Sequence, residues 1–157
     1  MLELIEIVRR KATRLQEEVI IKNSVGKPVG RRFSDFFDGD RFMDAKAYED
    51  VTKISGSMST GIRNGGDVRP GQAFLDFVDM GNNPGLKKGY VFGANAKGKE
   101  IEILEVLMSA AKKEGNKKAL IGAWGLEGSP KEIATLFSSK LKQVKKQFTI
   151  EVAEFEI

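Results

Sequence analysis

Three ionisable residues in the stretch GRRFSDFFDGDRFMDAKAY, Gly30 to Tyr48, have the types and spacing to hold a cation and act beside it: Asp35, Asp44 and Lys46. With Gly39-Asp40 as a two-residue turn, Asp38 faces Arg41, Phe37 faces Phe42, Asp35 faces Asp44 and Phe33 faces Lys46. Side chains alternate along a strand, so Asp35, Asp44 and Lys46 should share one face. Carboxylates directly opposite on neighbouring strands have Cβ atoms about 5 Å apart and repel unless something positive lies between them. A divalent cation meets that need, because Mg²⁺ takes one or two carboxylates together with water and substrate phosphate. Lys46 can then hold an attacking water or stabilise charge developing on a phosphate. The same three residues also suit a plain surface cluster in which Lys46 only bridges the two aspartates.

Composition narrows the chemistry further. The chain has no histidine, which removes the commonest general base, and no cysteine, which removes disulfides and thiolate metal sites. A metal here must be hard and bound by oxygen. The net charge of +4 and a pI near 9.2 suit an anionic partner without requiring one. At 157 residues and 41% hydrophobic content, residues 1–157 are expected to form a single domain with one core. The opening MLELIEIVRRKATRLQEEVI carries acids within its apolar portion and does not read as a signal peptide. No apolar run approaches the ~20 residues that span a bilayer. The expectation is a soluble intracellular protein, or the excised end of a larger one.

The elements that must position Asp35, Asp44 and Lys46 follow from periodicity. Ile5, Val8, Ala12, Leu15 and Val19 recur at helical spacing and predict an amphipathic first helix, followed by a loop over residues 23–29. Residues 30–48 form the hairpin. Residues 54–71, rich in Gly, Ser, Thr and Asn, predict a mobile surface loop, and Pro70 then opens a short helix that GNNPG ends. Residues 89–93 predict a strand, and Ile101, Leu104, Leu107, Met108 and Ala111 a second amphipathic helix. Residues 119–124 read as another buried strand. Ser129-Pro-Lys-Glu132 is a capping box that starts a helix through Ile133, Leu136, Phe137, Leu141 and Val144. Its last turns carry Lys140, Lys142, Lys145 and Lys146, read first as a solvated face that suits the helix dipole and second as phosphate contacts. FTIEVAEFEI is the final strand. The succession is that of an α/β protein.

At these residues the chain resembles the restriction-endonuclease-like superfamily, the PD-(D/E)xK nucleases, and within it the C-terminal nuclease domains of bacterial polymorphic and contact-dependent-inhibition toxins. The resemblance rests on Gly30-Arg31-Arg32, Asp35, Asp38-Gly39 and Asp44-Ala45-Lys46 before Tyr48, then Gln72 and Asp76 on a helix and the strand Tyr90-Val-Phe-Gly-Ala94. The chain departs from the pattern in having no proline before Asp35 and aspartate where glutamate is usual at position 44. The resemblance implies a restriction-endonuclease-like core, a short mixed sheet with a hairpin flanked by helices. It implies Mg²⁺ or Mn²⁺ on Asp35 and Asp44, joined by a residue of the first helix, with the acid Glu18 the best placed and Glu17 and the amide Gln16 competing.

Two functions fit these residues. The first is a metal-dependent nuclease hydrolysing phosphodiester bonds of DNA or tRNA, a toxin effector acting in the cytoplasm after delivery as part of a larger secreted protein, with a cognate immunity protein as partner. In it Lys46 positions the nucleophile, Gln72 holds Lys46 or a substrate group, and Arg31, Arg32 and Arg63 grip backbone phosphates. Gln72 is equally a polar residue at a helix start, and Arg31 and Arg32 equally a solvated strand edge. The second is a non-catalytic nucleic-acid-binding protein or phage structural or assembly protein, whose glycine-rich loop contacts a neighbouring subunit.

Overall fold

Gly39, at φ 70°, takes the left-handed conformation that a tight hairpin turn asks of glycine. Around it β4 (Phe36–Asp38) and β5 (Arg41–Lys46) pair antiparallel, with Asp38 opposite Arg41, Phe37 opposite Phe42 and Phe36 opposite Met43. The expected register therefore holds across the turn, and the Phe37 and Phe42 rings meet edge-to-face at 4.9 Å between centroids. The computed structural model describes residues 14–15, 18–59 and 70–153. β5 continues parallel to β6 (Lys88–Phe92), and β6 parallel to β7 (Phe148–Val152). The two-residue β1 (Arg14–Leu15) closes the other edge against β4, giving a five-stranded mixed sheet ordered β1-β4-β5-β6-β7.

The hairpin is shorter on its first arm than the alternation predicts. Residues 30–33 do not extend β4; they belong to β3 (Pro28–Phe33), which pairs with β2 (Glu18–Lys22) in a separate two-stranded sheet. Phe33 lies opposite Glu18, not Lys46. The chain turns away at Ser34-Asp35, where Arg32 is drawn to a buried acid described below. Leu15 and Val19 likewise lie in strands, so the expected first helix does not reach them; its earlier residues fall outside those described. Val19 instead enters the core from the β2 side.

Among the described residues four α-helices follow the hairpin: α1 (Gln72–Asn82), α2 (Glu100–Ala111), α3 (Glu114–Ala123) and α4 (Pro130–Gln147). Their apolar sides meet one face of the sheet, where Tyr90, Phe92 and Phe148 join Phe77, Met80, Ile103, Leu107 and Val144 in the main core. The opposite face carries a small cluster of Phe36, Met43, Val91 and Ala153. The architecture is thus mixed α/β. α4 begins as the capping box predicts: Glu132 N–H donates to Ser129 Oγ, and Ser129 N–H to the Glu132 carboxylate.

Two further segments differ from the expected pattern. Residues 119–123 are helical, not a strand, with Trp124 as the C-cap, because Leu120 and Trp124, four apart, are the residues this segment buries. Trp124 Nε1–H donates to Phe77 O of α1 at 3.2 Å, and a Cβ on Gly81 would land on the indole, so that glycine is what lets α1 and α3 approach. The opening of the glycine-rich segment is helical, not loop. Val51–Met58 is a 3-10 helix capped by Asp50, whose buried Val51, Ile54 and Met58 anchor it; residues 60–69 lie outside those described. No helix among the described residues is long and apolar enough to cross a membrane.

Candidate active site

The pleat of β5 sends Phe42, Asp44 and Lys46 to the helix side, and the parallel register places Asp44 beside Tyr90 and Lys46 beside Phe92. Asp35 precedes β4 by one residue and completes the ladder with its side chain. Its carboxylate accepts from Ala45 N–H at 2.9 Å, while Asp44 accepts from Asp35 N–H at 3.0 Å. The two acids therefore meet across the hairpin end as the spacing predicts, with one oxygen of each engaged by backbone. Lys46 does not bridge them. Its ammonium lies 4.6 Å from the centroid of the Tyr90 ring, and among the described residues it forms no ion pair.

Asp44 feels a second carboxylate, from Asp76 of α1. Burial, then the charges of Asp76 and Asp35, push the Asp44 carboxyl up to about 6, against which the Asp35 amide and Lys46 pull only partly. Among the described residues no cation lies within ion-pair distance of Asp44 or Asp35.

Asp76 is fully buried and held from three sides. Lys88 Nζ donates to it at 2.7 Å, Gln72 Nε2 at 3.1 Å, and the Tyr90 hydroxyl closes on its other oxygen. Lys88 also reaches Asp79 at 3.3 Å, and Asp79 takes Arg32 Nε at 2.6 Å. The result is a buried chain of alternating charge, Arg32–Asp79–Lys88–Asp76, ending on Tyr90. Burial alone would lower Lys88, but Asp76 and Asp79 outweigh it and hold the ammonium above its usual range. Burial and the Asp76 charge together raise the Tyr90 hydroxyl well above the phenol range. α1 is fixed at its far end, where Gln147 Nε2 donates to the Met80 and Asn83 carbonyls and Lys140 to that of Gly81.

Of the residues singled out in the sequence, the structure brings together Asp35, Asp44 and Lys46, and Gln72 is bonded to Asp76, whose charge Asp44 feels. Gln72 touches Asp76, not Lys46. Glu18 is not on a helix: it sits on β2, and its carboxylate is 3.4 Å from Arg31 in an exposed pair. Arg32 turns inward to Asp79. Arg63 lies outside the described residues. Lys88, Tyr90 and Asp79 were not anticipated as part of the site. The signal was present in Lys88-Gly-Tyr90, whose alternation sets both side chains on one face, but only the β5–β6 pairing shows that this face is Asp44's.

The donor set suits a hard cation. Two carboxylates are offered with one oxygen each beyond the backbone bonds, at a point where Asp76 deepens the negative field, and Mg²⁺ asks for no more protein ligands than that. Among the described residues no group of three acids forms a ready-made cage. Compared with protein-family models, curated proteins and solved structures, the chain matches none.

Proposed function

We propose that the chain is a metal-dependent phosphodiester hydrolase, a nuclease acting on DNA or tRNA, built on a restriction-endonuclease-like core. The observation that carries this reading is the meeting of Asp35 and Asp44 at the hairpin end, beside buried Asp76 and an unpaired Lys46, with no cation between the acids among the described residues. Like charges gathered around a half-buried carboxylate cost stability unless a ligand repays it. Mg²⁺ or Mn²⁺ on Asp35 and Asp44 would polarise a phosphoryl oxygen and acidify a bound water.

The chain's own residues supply the rest. Lys46, two residues past Asp44 on the same face, orients the nucleophile and neutralises charge that grows on the phosphate. Asp76 keeps the field at Asp44 negative, and Gln72 at the start of α1 steadies Asp76. Arg31, exposed on β3, is available to a backbone phosphate once it leaves Glu18, whereas Arg32 serves the buried chain. A toxin effector acting in the cytoplasm, with an immunity protein as its partner, belongs to the same proposal. A mixed sheet whose antiparallel hairpin leads into parallel strands, with helices against one face, supports the proposed core.

A second reading has its own observation. The reciprocal bonds of Asp35 and Asp44 to each other's strand finish the ladder, and a non-catalytic nucleic-acid-binding or phage assembly protein needs nothing further from them. Incubating the purified protein with plasmid DNA and with total RNA, with and without Mg²⁺ or Mn²⁺, separates the two. The nuclease reading expects cleavage of one substrate only when metal is present, and a melting temperature raised by metal at about 100 times Kd, worth about 2.7 kcal/mol. An unchanged melting temperature with no cleavage overturns it.

A further inference from the structure

The lysines of α4 divide in the structure. Lys140 is spent on the Gly81 carbonyl, but Lys142 and Lys145 meet Lys112 and Lys117, from the end of α2 and from α3, around a cavity of about 420 Å³ between the three helices. Its floor is apolar, made by Met108, Phe137 and Leu141, each nearly buried. The only acid in the lining is Glu105, already 3.5 Å from Lys145. Lys117 lies over the Phe137 ring, 5.3 Å from its centroid. A solvated lysine face on one helix would spread its charges to limit repulsion. Here three elements bring four lysines to line one concavity, within the size range of about 300–1,000 Å³ typical of small-ligand sites.

We propose that this cleft is a second binding site, separate from Asp35 and Asp44, for a nucleotide-sized phosphate ester: a phosphate held by Lys112, Lys142 and Lys117, and an apolar ring system on the floor. The choice of phosphate follows from the cations. All four are lysines, compact point charges that hold a phosphate without fixing its orientation, and polyglutamate is the carboxylate that the site must reject. The choice of a single ring-bearing unit follows from the size, about 420 Å³ in a half-open concavity, which holds one compact ligand rather than the long apolar face of a partner helix. Such a unit comes from a free nucleotide or from one residue of a nucleic-acid strand.

The test uses the full chain in EDTA, where metal-dependent turnover cannot contribute, and follows amide shifts by two-dimensional NMR during titration with adenosine monophosphate, a short oligothymidylate and polyglutamate. Saturable shifts centred on Met108, Phe137 and Leu141 are expected, with affinity falling as salt rises. Lys112→Ala/Lys142→Ala should weaken binding by about tenfold or more at low salt. Lys53→Ala, an exposed lysine elsewhere, should not. Binding of the oligonucleotide alone assigns the site to a strand, and equal binding of the monophosphate assigns it to free nucleotides. No binding, shifts scattered over surface lysines, an unaffected double variant, or polyglutamate binding as tightly would each overturn the proposal. Because no metal enters the measurement, its outcome is independent of whether Asp35 and Asp44 support cleavage.

Discussion

Two groups of charges lie side by side on the helix face of the sheet, and they are settled in opposite ways. In the chain Arg32–Asp79–Lys88–Asp76 each charge has an opposite neighbour at 2.6–3.3 Å. One residue further along the face, Asp44 has two carboxylates for company, and Lys46 rests on an aromatic ring. A buried charge that is paired is part of the fold, since removing one partner strands the other. A carboxylate left facing its own kind at the edge of the same network is a cost the fold does not need. That contrast separates residues that hold the site from residues that would work in it.

Lys88→Met should show the largest effect on stability, because it leaves Asp76 and Asp79 buried with half their compensation gone. A loss of about 3–5 kcal/mol is expected in urea unfolding. If the variant is as stable as the parent, the network is not structural and the comparison fails. Lys46→Met should do the reverse, folding normally and binding metal and nucleic acid while cleavage falls by about 10²–10³ at saturating Mg²⁺. A parental rate recovered at high Mg²⁺ would reduce Lys46 to a neutralising charge.

The pH dependence tests the unsettled group alone. Asp44 binds its proton more tightly folded, up to about 6, than its ordinary value of 3.8. Between those values the unfolded chain is ionised there and the folded one is not. Its contribution is therefore fully present below pH 4 and is lost as pH rises through 6, by up to about 3 kcal/mol without metal. Denaturant midpoints across that range check it, and added Mg²⁺ should flatten the loss. Asp44→Asn reads the same cost at a single pH. It removes the repulsion but keeps an oxygen for the Asp35 amide, so stability at neutral pH should rise by up to the same amount, about 3 kcal/mol, while the pH slope and activity disappear. Unfolding of this variant would make the acid pair structural.

The acid pair was legible because it is local: a glycine turn and strict alternation set Asp35 against Asp44 without help from the rest of the chain. The same reasoning overran at Phe33, where alternation continues but the backbone leaves the ladder because Arg32 is claimed by Asp79, 47 residues away. Position 124 failed similarly. Ala119 to Trp124 looks apolar enough for a buried strand, and only the fit of the indole against Gly81 on α1 decides for helix. Of the charged network, Asp76 could be singled out on its helix, but its partners could not be, since they depend on which strand lies beside β5.

The separations along the chain also order events in time. Asp35 and Asp44 are nine residues apart, and their contact closes with the hairpin. Arg32 and Asp79 are separated by 47, and β5 meets β6 only after the intervening 3-10 helix and α1 have crossed over the sheet. Loop-closure entropy favours the short contact first. A refolding molecule would thus bring its mutually repelling acids together early, while both are still wet and the repulsion is cheap. Their environment dries only when α1 docks and Asp76 arrives, so the penalty at Asp44 falls late, on a step that a divalent cation in the refolding buffer should accelerate.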